Sequence, residues 1–445
     1  MRNRISVLVG TALVACWALP APAQERPALA IRNVKIVTLA GPAIERGTVV
    51  IQDGRITAVG TDVTVPAGAR VIDGAGLEVY PGFFDASTDL GLTEVGAVDV
   101  TNDQRELGEF NPHLLGATAV HPASEHIPVA RANGVTHAVA TPSSAGGGMG
   151  GQGSLMNLAG WTVEEMLIRP SVGVMLSWPT MRGGGFGFGG FAAQQRSFRQ
   201  VQEQYEEAKR DIVAWLDAAR QYARARDAGD PVRRDLRLEA VARVLGGEIP
   251  FLVSATSQQA IRDAVAFADE QQVRIVLLNS GGGGFGGGGG SEIDKVFDLL
   301  AEKNIPVILG ATQAMPGSDR RYDDAYSLPA RVHAAGITFA LSTFSSSDSR
   351  TLPYEIGMAV GYGLPHEEAL KAITRYPAEI LGVGDELGTI EVGKRANLVV
   401  TDGDPLEIRT TVRHVIIDGV DVGVGNRHLE LYEKYRARPL PKDKP

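Results

Sequence analysis

Seven short apolar runs, each separated from the next by a helix-length stretch, occupy the middle of this chain and leave few folds open to it. The runs are Tyr80–Ser87, Val135–Thr141, Val172–Ser177, Ile249–Ala255, Val273–Asn279, Ile305–Gly310 and Ile337–Thr343. Helical patterning fills Gln258–Glu270, Ser291–Lys303, Ser327–Ala335 and His366–Leu381. Continuous apolar strands alternating with helices require a parallel sheet covered on both faces. Seven such strands within about 300 residues fit an α/β fold of the (β/α)8 TIM-barrel type better than an open doubly wound sheet. The eighth strand is expected close to a long helical insertion.

That insertion, residues 194–228, carries Phe198, Val201, Tyr205, Ala208, Ile212, Trp215, Ala219 and Tyr222 at alternating three- and four-residue steps, which makes one apolar stripe. The stripe is expected to pack on its own barrel, with a dimer seam or lid as the alternative. Both ends of the chain are strand-rich. Residues 28–80 hold β-branched runs and an Asp53-Gly54 hairpin signal, and residues 388–422 have the same character. The expectation is a small composite β-sandwich built from 28–80 and 388–422, a barrel over 81–387, and a tail over 423–445.

The N-terminus reads as an export signal over residues 1–23. Arg2 and Arg4 precede the apolar run from Ile5 to Leu19, and Ala21-Pro22-Ala23 supplies a small-residue cleavage site. This predicts a periplasmic or secreted protein. Leu13-Val14-Ala15-Cys16 also resembles a lipobox, so lipid anchoring through Cys16 is the alternative. Cleavage after Ala23 removes the single cysteine, and with it any disulfide or thiolate site. The net charge of -9, with no basic tract, gives no electrostatic basis for nucleic-acid binding. No later segment is long and apolar enough to be a transmembrane helix.

Two stretches of sequence carry a resemblance. Val71-Ile72-Asp73-Gly74 leading to Tyr80-Pro81-Gly82-Phe83-Phe84-Asp85 resembles the entry into an amidohydrolase-superfamily barrel. Pro377-Ala378-Glu379-Ile380-Leu381-Gly382, followed by Leu387-Gly388-Thr389-Ile390-Glu391-Val392-Gly393-Lys394-Arg395-Ala396-Asn397-Leu398, resembles the exit into that family's composite sheet. The subgroup it is most similar to is the exported imidazolonepropionase-like amidohydrolases. The resemblance implies hydrolysis of carbon–nitrogen bonds in cyclic or linear amides, with a divalent Zn or Mn ion activating water.

The same resemblance implies a His-x-His pair on the first barrel strand, further histidines on strands five and six, and an Asp after strand eight. Here the pair positions are Ser87 and Asp89, the strand-five position is Ser254, the strand-six candidate ends at Asn279, and Phe344 stands where the Asp aligns. Neutral hydroxyls and amides are poor ligands for catalytic zinc, so no metal ligands are assigned. Asp89 and Asp348 are the candidate catalytic carboxylates. Ser87, Ser254 and Asn279 are candidate substrate-binding groups, and Asp348 is alternatively a helix cap. His121 and His126, with Glu125 between them, offer a possible rebuilt site or simply a polar loop with Ser124 as cap. His137 is expected in the core.

Three glycine tracts, at 146–153, 183–190 and 281–290, are expected to be loops, and those at 146–153 and 281–290, which lack the Gly-x-x-x-x-Gly-Lys pattern of a phosphate cradle, are expected to be mobile covering loops at the barrel mouth. Phe186, Phe188, Phe191 and Phe285 in them offer an apolar closure. Three functions stay open: a divergent amide hydrolase, a pseudoenzyme that binds a small molecule, and a glycosidase using paired carboxylates. Partners are expected to be a small-molecule ligand, with a homo-oligomer or an assembly with an active homologue also possible.

Overall fold

The computed structural model describes residues 27–143, 148–181, 197–280, 291–314 and 320–439. The export segment with Cys16, the glycine tracts at 183–190 and 281–290, and Phe186, Phe188, Phe191 and Phe285 lie outside them.

The chain opens with five strands, β1 (Leu29–Ile36), β2 (Ile44–Gln52), β3 (Arg55–Gly60), β4 (Arg70–Asp73) and β5 (Glu78–Pro81). The Asp53-Gly54 turn has φ of 50° and 77°, the left-handed pair that a tight hairpin between β2 and β3 needs. Eight strands of a barrel follow: β6 (Phe83–Thr88), β7 (Val135–Ala140), β8 (Met149–Asn157), β9 (Leu167–Ser177), β10 (Phe251–Ser254), β11 (Ile275–Asn279), β12 (Val307–Leu309) and β13 (Phe339–Leu341). The chain then returns with β14 (Leu398–Thr401), β15 (Val412–Ile417) and β16 (Val420–Asp421).

The terminal strands join as expected. Tyr80 of β5 pairs with Val399 of β14, so one eight-stranded sheet runs β16-β15-β14-β5-β1-β2-β3, with β4 also on β1. Ile31, Ile36, Val49, Val79, Leu398 and Ile416 from both chain ends share a single apolar cluster in it. Residues 427–436 of the tail form a helix.

The barrel sheet runs β6 through β13 in chain order. Its missing strand is found in a different place from the one expected. β8 lies between the second and third apolar runs, ahead of the helical insertion, and is antiparallel to both β7 and β9. Half of the glycine tract at 146–153 is therefore buried strand and not a covering loop. Glycine is a weak strand former, which hid the strand from a reading of apolar runs. The structure shows why glycine is required. A Cβ on Gly151 would lie 2.9 Å from the Leu114 carbonyl oxygen and 3.0 Å from a Pro142 ring carbon, and one on Gly153 would lie 2.9 Å from Val139. Gly151→Ala should therefore cost about 1–3 kcal/mol by overpacking. A lowered Tm in thermal denaturation checks this, because the obstacle at Leu114 is backbone and cannot swing away.

Phe84, Val139, Leu155, Leu252, Leu278 and Ile308 fill the barrel interior, and Leu381, Val383 and Leu387 close its floor. The insertion forms a helix, Phe198–Asp227, started by a capping box between Ser197 and Gln200. Val201, Tyr205, Ile212, Leu216, Ala219 and Tyr222 are its buried face, packed against the barrel helix Leu236–Leu245. The register of the stripe is shifted at two positions: Leu216 is buried where Trp215 was expected, and Phe198 is exposed. The expected helix His366–Leu381 is broken at Ile373-Thr374 into His366–Ala372 and Arg375–Ile380.

Candidate functional site

The two edge strands of the barrel, β6 and β13, meet without a regular ladder. Side chains close the seam. The Ser342 hydroxyl accepts the Ser87 N–H at 2.8 Å and donates to Asp85, and the Phe344 N–H reaches the Ser87 carbonyl at 2.9 Å. Asp85 is fully buried and also accepts from the Thr343 N–H at 3.0 Å, the Thr343 hydroxyl at 2.6 Å and the Ser349 hydroxyl at 2.8 Å. Burial pushes its carboxyl above the ordinary carboxylate range, although each of these bonds favours the charged form. A carboxylate so enclosed is spoken for by the seam, which removes Asp85 from any glycosidase pair with Asp89.

Asp89, just past the end of β6, is half-buried. One of its oxygens takes the Gln104 side-chain amide at 2.5 Å and the other the Ser346 N–H. Gln104 also donates to Thr93 at 2.8 Å. Ser87 and Asp89 are therefore both tied to the segment that follows β13. Asp348 belongs to that segment too, but its side chain is exposed and makes no capping bond. Ser254 ends β10 half-buried, with its carbonyl accepting the Trp178 N–H at 3.0 Å. Asn279 ends β11 buried, donating to the Ser291 hydroxyl at 2.7 Å and leaving its own carbonyl oxygen without a partner among the described residues. No hydrogen bond among the described residues joins Asp89 to Asp348, Ser254 or Asn279.

The histidines stand apart from this mouth. His126 Nε2 lies 3.0 Å from the Glu94 carbonyl oxygen, and His121 is exposed. The Ser124 hydroxyl accepts the His126 N–H at 3.3 Å, while Glu125 occupies the helix N-cap position. His137 is buried against Phe84, with ring centroids 4.5 Å apart, and its Nδ1 is 2.7 Å from the Thr136 hydroxyl.

Phe344 was legible in the sequence as a replacement; its conformation was not. It sits at φ 54°, the left-handed region that a bulky side chain rarely adopts, and packs against the apolar barrel interior. Strain of this kind persists only where surrounding structure enforces it, here the bond from its N–H to Ser87. Gln104, Ser342 and Ser346 were missed. The serine-rich run after β13 was visible, but nothing local in the sequence ties Gln104 to Asp89.

A cleft open to solvent, with a volume of about 60 Å³, adjoins this region. Leu92, Leu115, Pro142 and Met149 give it an apolar base, and Gln104 connects it to Asp89. The donor set does not fit the divalent ion that the resemblance implied. The mouth offers hydroxyls, an amide and one carboxylate with both oxygens engaged, and a phenylalanine fills the position of the second acid. Among the described residues no group of three or more His, Cys, Asp or Glu side chains is arranged to hold a metal ion.

An eight-stranded α/β barrel joined to a sheet made from both chain ends is an architecture shared with an amidohydrolase of known structure. Comparison with known proteins agrees. The amidohydrolase family model matches residues 357–422. "Amidohydrolase tasK" of Hapsidospora irregularis is 23% identical over 403 residues, 84% of this chain and 39% of that protein. "N-substituted formamide deformylase" of Arthrobacter pascens is 45% identical over 60 residues, 12% of this chain and 11% of that protein. This chain thus spans well under half the length of the curated relatives it matches. The crystal structure of an amidohydrolase from Thermotoga maritima MSB8 superposes with a TM-score of 0.74 at 26% identity, covering 88% of this chain and 99% of that one. Family model, relatives and solved structure alike make amidohydrolases what this chain is similar to.

Proposed function

We propose that this chain binds a small amide- or lactam-type molecule at the barrel mouth without a resident divalent metal. The observation that carries this reading is the pairing of an open cleft with a mouth whose polar groups are hydroxyls, amides and one engaged carboxylate, which accepts. Such groups recognise an amide by hydrogen bonding, since it offers one donor and one acceptor in a plane. Gln104 is the link between cleft and mouth. A ligand donor that displaces its amide takes over the Asp89 oxygen, exchanging one charge-assisted bond for another.

A second reading, hydrolysis of the C–N bond with Asp89 taking the proton of an attacking water, draws support from the names of the relatives. One experiment separates the two. Titration calorimetry against a panel of cyclic and linear amides, with and without chelator, should find binding indifferent to chelation. Asp89→Asn should weaken that binding about tenfold, the loss of roughly one good hydrogen bond. Elemental analysis should find well under one metal per chain. Near-stoichiometric Zn or Mn that is lost in Asp89→Asn would overturn the metal-free reading. Amine release that vanishes in the same variant would replace binding with turnover.

A further inference from the structure

The C-terminal helix Arg427–Arg436 buries none of its residues. An isolated helix shorter than about 12–15 residues is marginal in water, so most helices this short are held by packing. Among the barrel's described helices, its main neighbour is the short helix His126–Arg131. Leu429, Tyr432 and Tyr435 fall at three-residue steps along one exposed stripe, and Tyr432 is 58% exposed. Residues 427–438 carry four cations, Arg427, Lys434, Arg436 and Arg438, against two carboxylates. Lys434 and Arg438 have no ion-pair partner among the described residues, unlike Arg427 and Arg436, which pair with Glu430 and Glu433.

A surface of opposite character lies on the same side of the barrel. Residues 94–109 carry five carboxylates, Glu94, Asp99, Asp103, Glu106 and Glu109, against the single cation Arg105. They also expose large apolar side chains, Val100 at 88% and Leu107 at 96%, with Val95 and Val98 beside them. The two surfaces are neighbours through one element. His126, at the start of the helix that touches Arg427–Arg436, reaches the Glu94 carbonyl.

We propose that these two surfaces form a two-fold interface between copies of this chain, the acidic loop 94–109 of one docking on the basic, aromatic helix of the other. The occupant follows from complementarity: each surface exposes apolar side chains, neither is covered by the described residues, and their charges are opposite. Adjacent patches A and B on one chain can meet B and A on a second by a single rotation, which gives two identical contacts and a closed dimer. The exposed apolar residues supply the contact, and the charges set its register and its sensitivity to salt.

Light scattering behind size exclusion at 100 μM tests this on the full chain. The expected result is a dimer in 50 mM NaCl that dissociates at least tenfold more readily in 0.5 M NaCl, where exposed charges are screened. Lys434→Glu with Arg438→Glu should give a monomer of unchanged melting temperature. Adding Asp99→Lys and Glu109→Lys to that double variant should restore the dimer. Leu429→Ser with Tyr432→Ser should give a monomer that no charge exchange rescues. A wild-type monomer at low salt overturns the proposal, as does a dimer that survives charge reversal on the helix. Failure of the exchange to rescue overturns the assignment of the loop as the docking surface.

Discussion

Asp85→Ala should destabilise the chain by about 3–5 kcal/mol, among the largest effects of any single substitution here. Four donors converge on that carboxylate, from Ser342, Ser349 and the backbone and side chain of Thr343, and all are buried. Alanine leaves the Thr343 N–H without an acceptor where water does not reach, and leaves the three hydroxyls only the backbone carbonyls of Ser87 and Ser345. The seam between β6 and β13 has no regular ladder to fall back on, so the loss falls on closure of the barrel. Asp85→Asn should cost less than half as much. It keeps one carbonyl acceptor, and the hydroxyls of Thr343 and Ser349 can turn to accept from its amide. Chemical denaturation of the three proteins, read by the fluorescence of the buried Trp178, checks the order. Equal losses for Ala and Asn would mean that the charge, and not the hydrogen-bond count, holds the seam.

Lowering the pH from 6.5 towards 3 should unfold the protein progressively through His137. Its imidazole is 1% exposed, and burial, with a smaller contribution from Arg395, pushes its pKa down to about 3. The folded chain therefore keeps the ring neutral while the unfolded chain takes up a proton below pH 6.5. Between those values the unfolded state binds the extra proton, so stability falls as pH falls. The slope is about 1.4 kcal/mol per pH unit, or roughly 5 kcal/mol over the whole window. Among the described residues no carboxylate is hydrogen-bonded to the ring to steady its charged form. The ring's Nε2 has no partner among the described residues, and its Nδ1 is already engaged by Thr136. Above pH 6.5 the contribution is complete and flat. His137→Gln should remove most of the slope between pH 4 and 6 while lowering stability at pH 7. An unchanged slope would mean that carboxylates elsewhere set the acid limit.

The sequence revealed those parts of the fold that announce themselves by apolar run length. Seven of the eight barrel strands coincide with short, mostly apolar buried runs. β8 is buried for the opposite reason, close backbone approach, and its glycines read as loop until Leu114, Pro142 and Val139 are seen against them. The same distinction governs the site. Ser87, Asp89, Ser254 and Phe344 were legible as departures from a pattern, because a pattern fixes position along the strand. What they touch was not. The bonds from Asp89 to Gln104 and Ser346, 15 and 257 residues away, depend on a mouth that exists only after the barrel closes. Asp348 shows the converse: chemically a fair candidate, it faces solvent because the Ser345–Ser349 turn spends its inward positions on the seam.

The reversed direction of β8 also changes how this scaffold can diversify. In a barrel of eight parallel strands, eight connections rise at the mouth and can vary without disturbing the floor. Here β8 begins at the mouth and runs back against β7, while the link from β8 to β9, residues 158–166, turns at the floor and carries the exposed Trp161. One connection has changed ends. The mouth is left with seven variable segments, and the space that an eighth would occupy is roofed by residues 110–115, bridged to β8 at Met149 and Gln152. Any lineage built on this arrangement explores new ligands with a smaller set of loops, and gains at the opposite pole a turn that is free to change without consequence for what is bound.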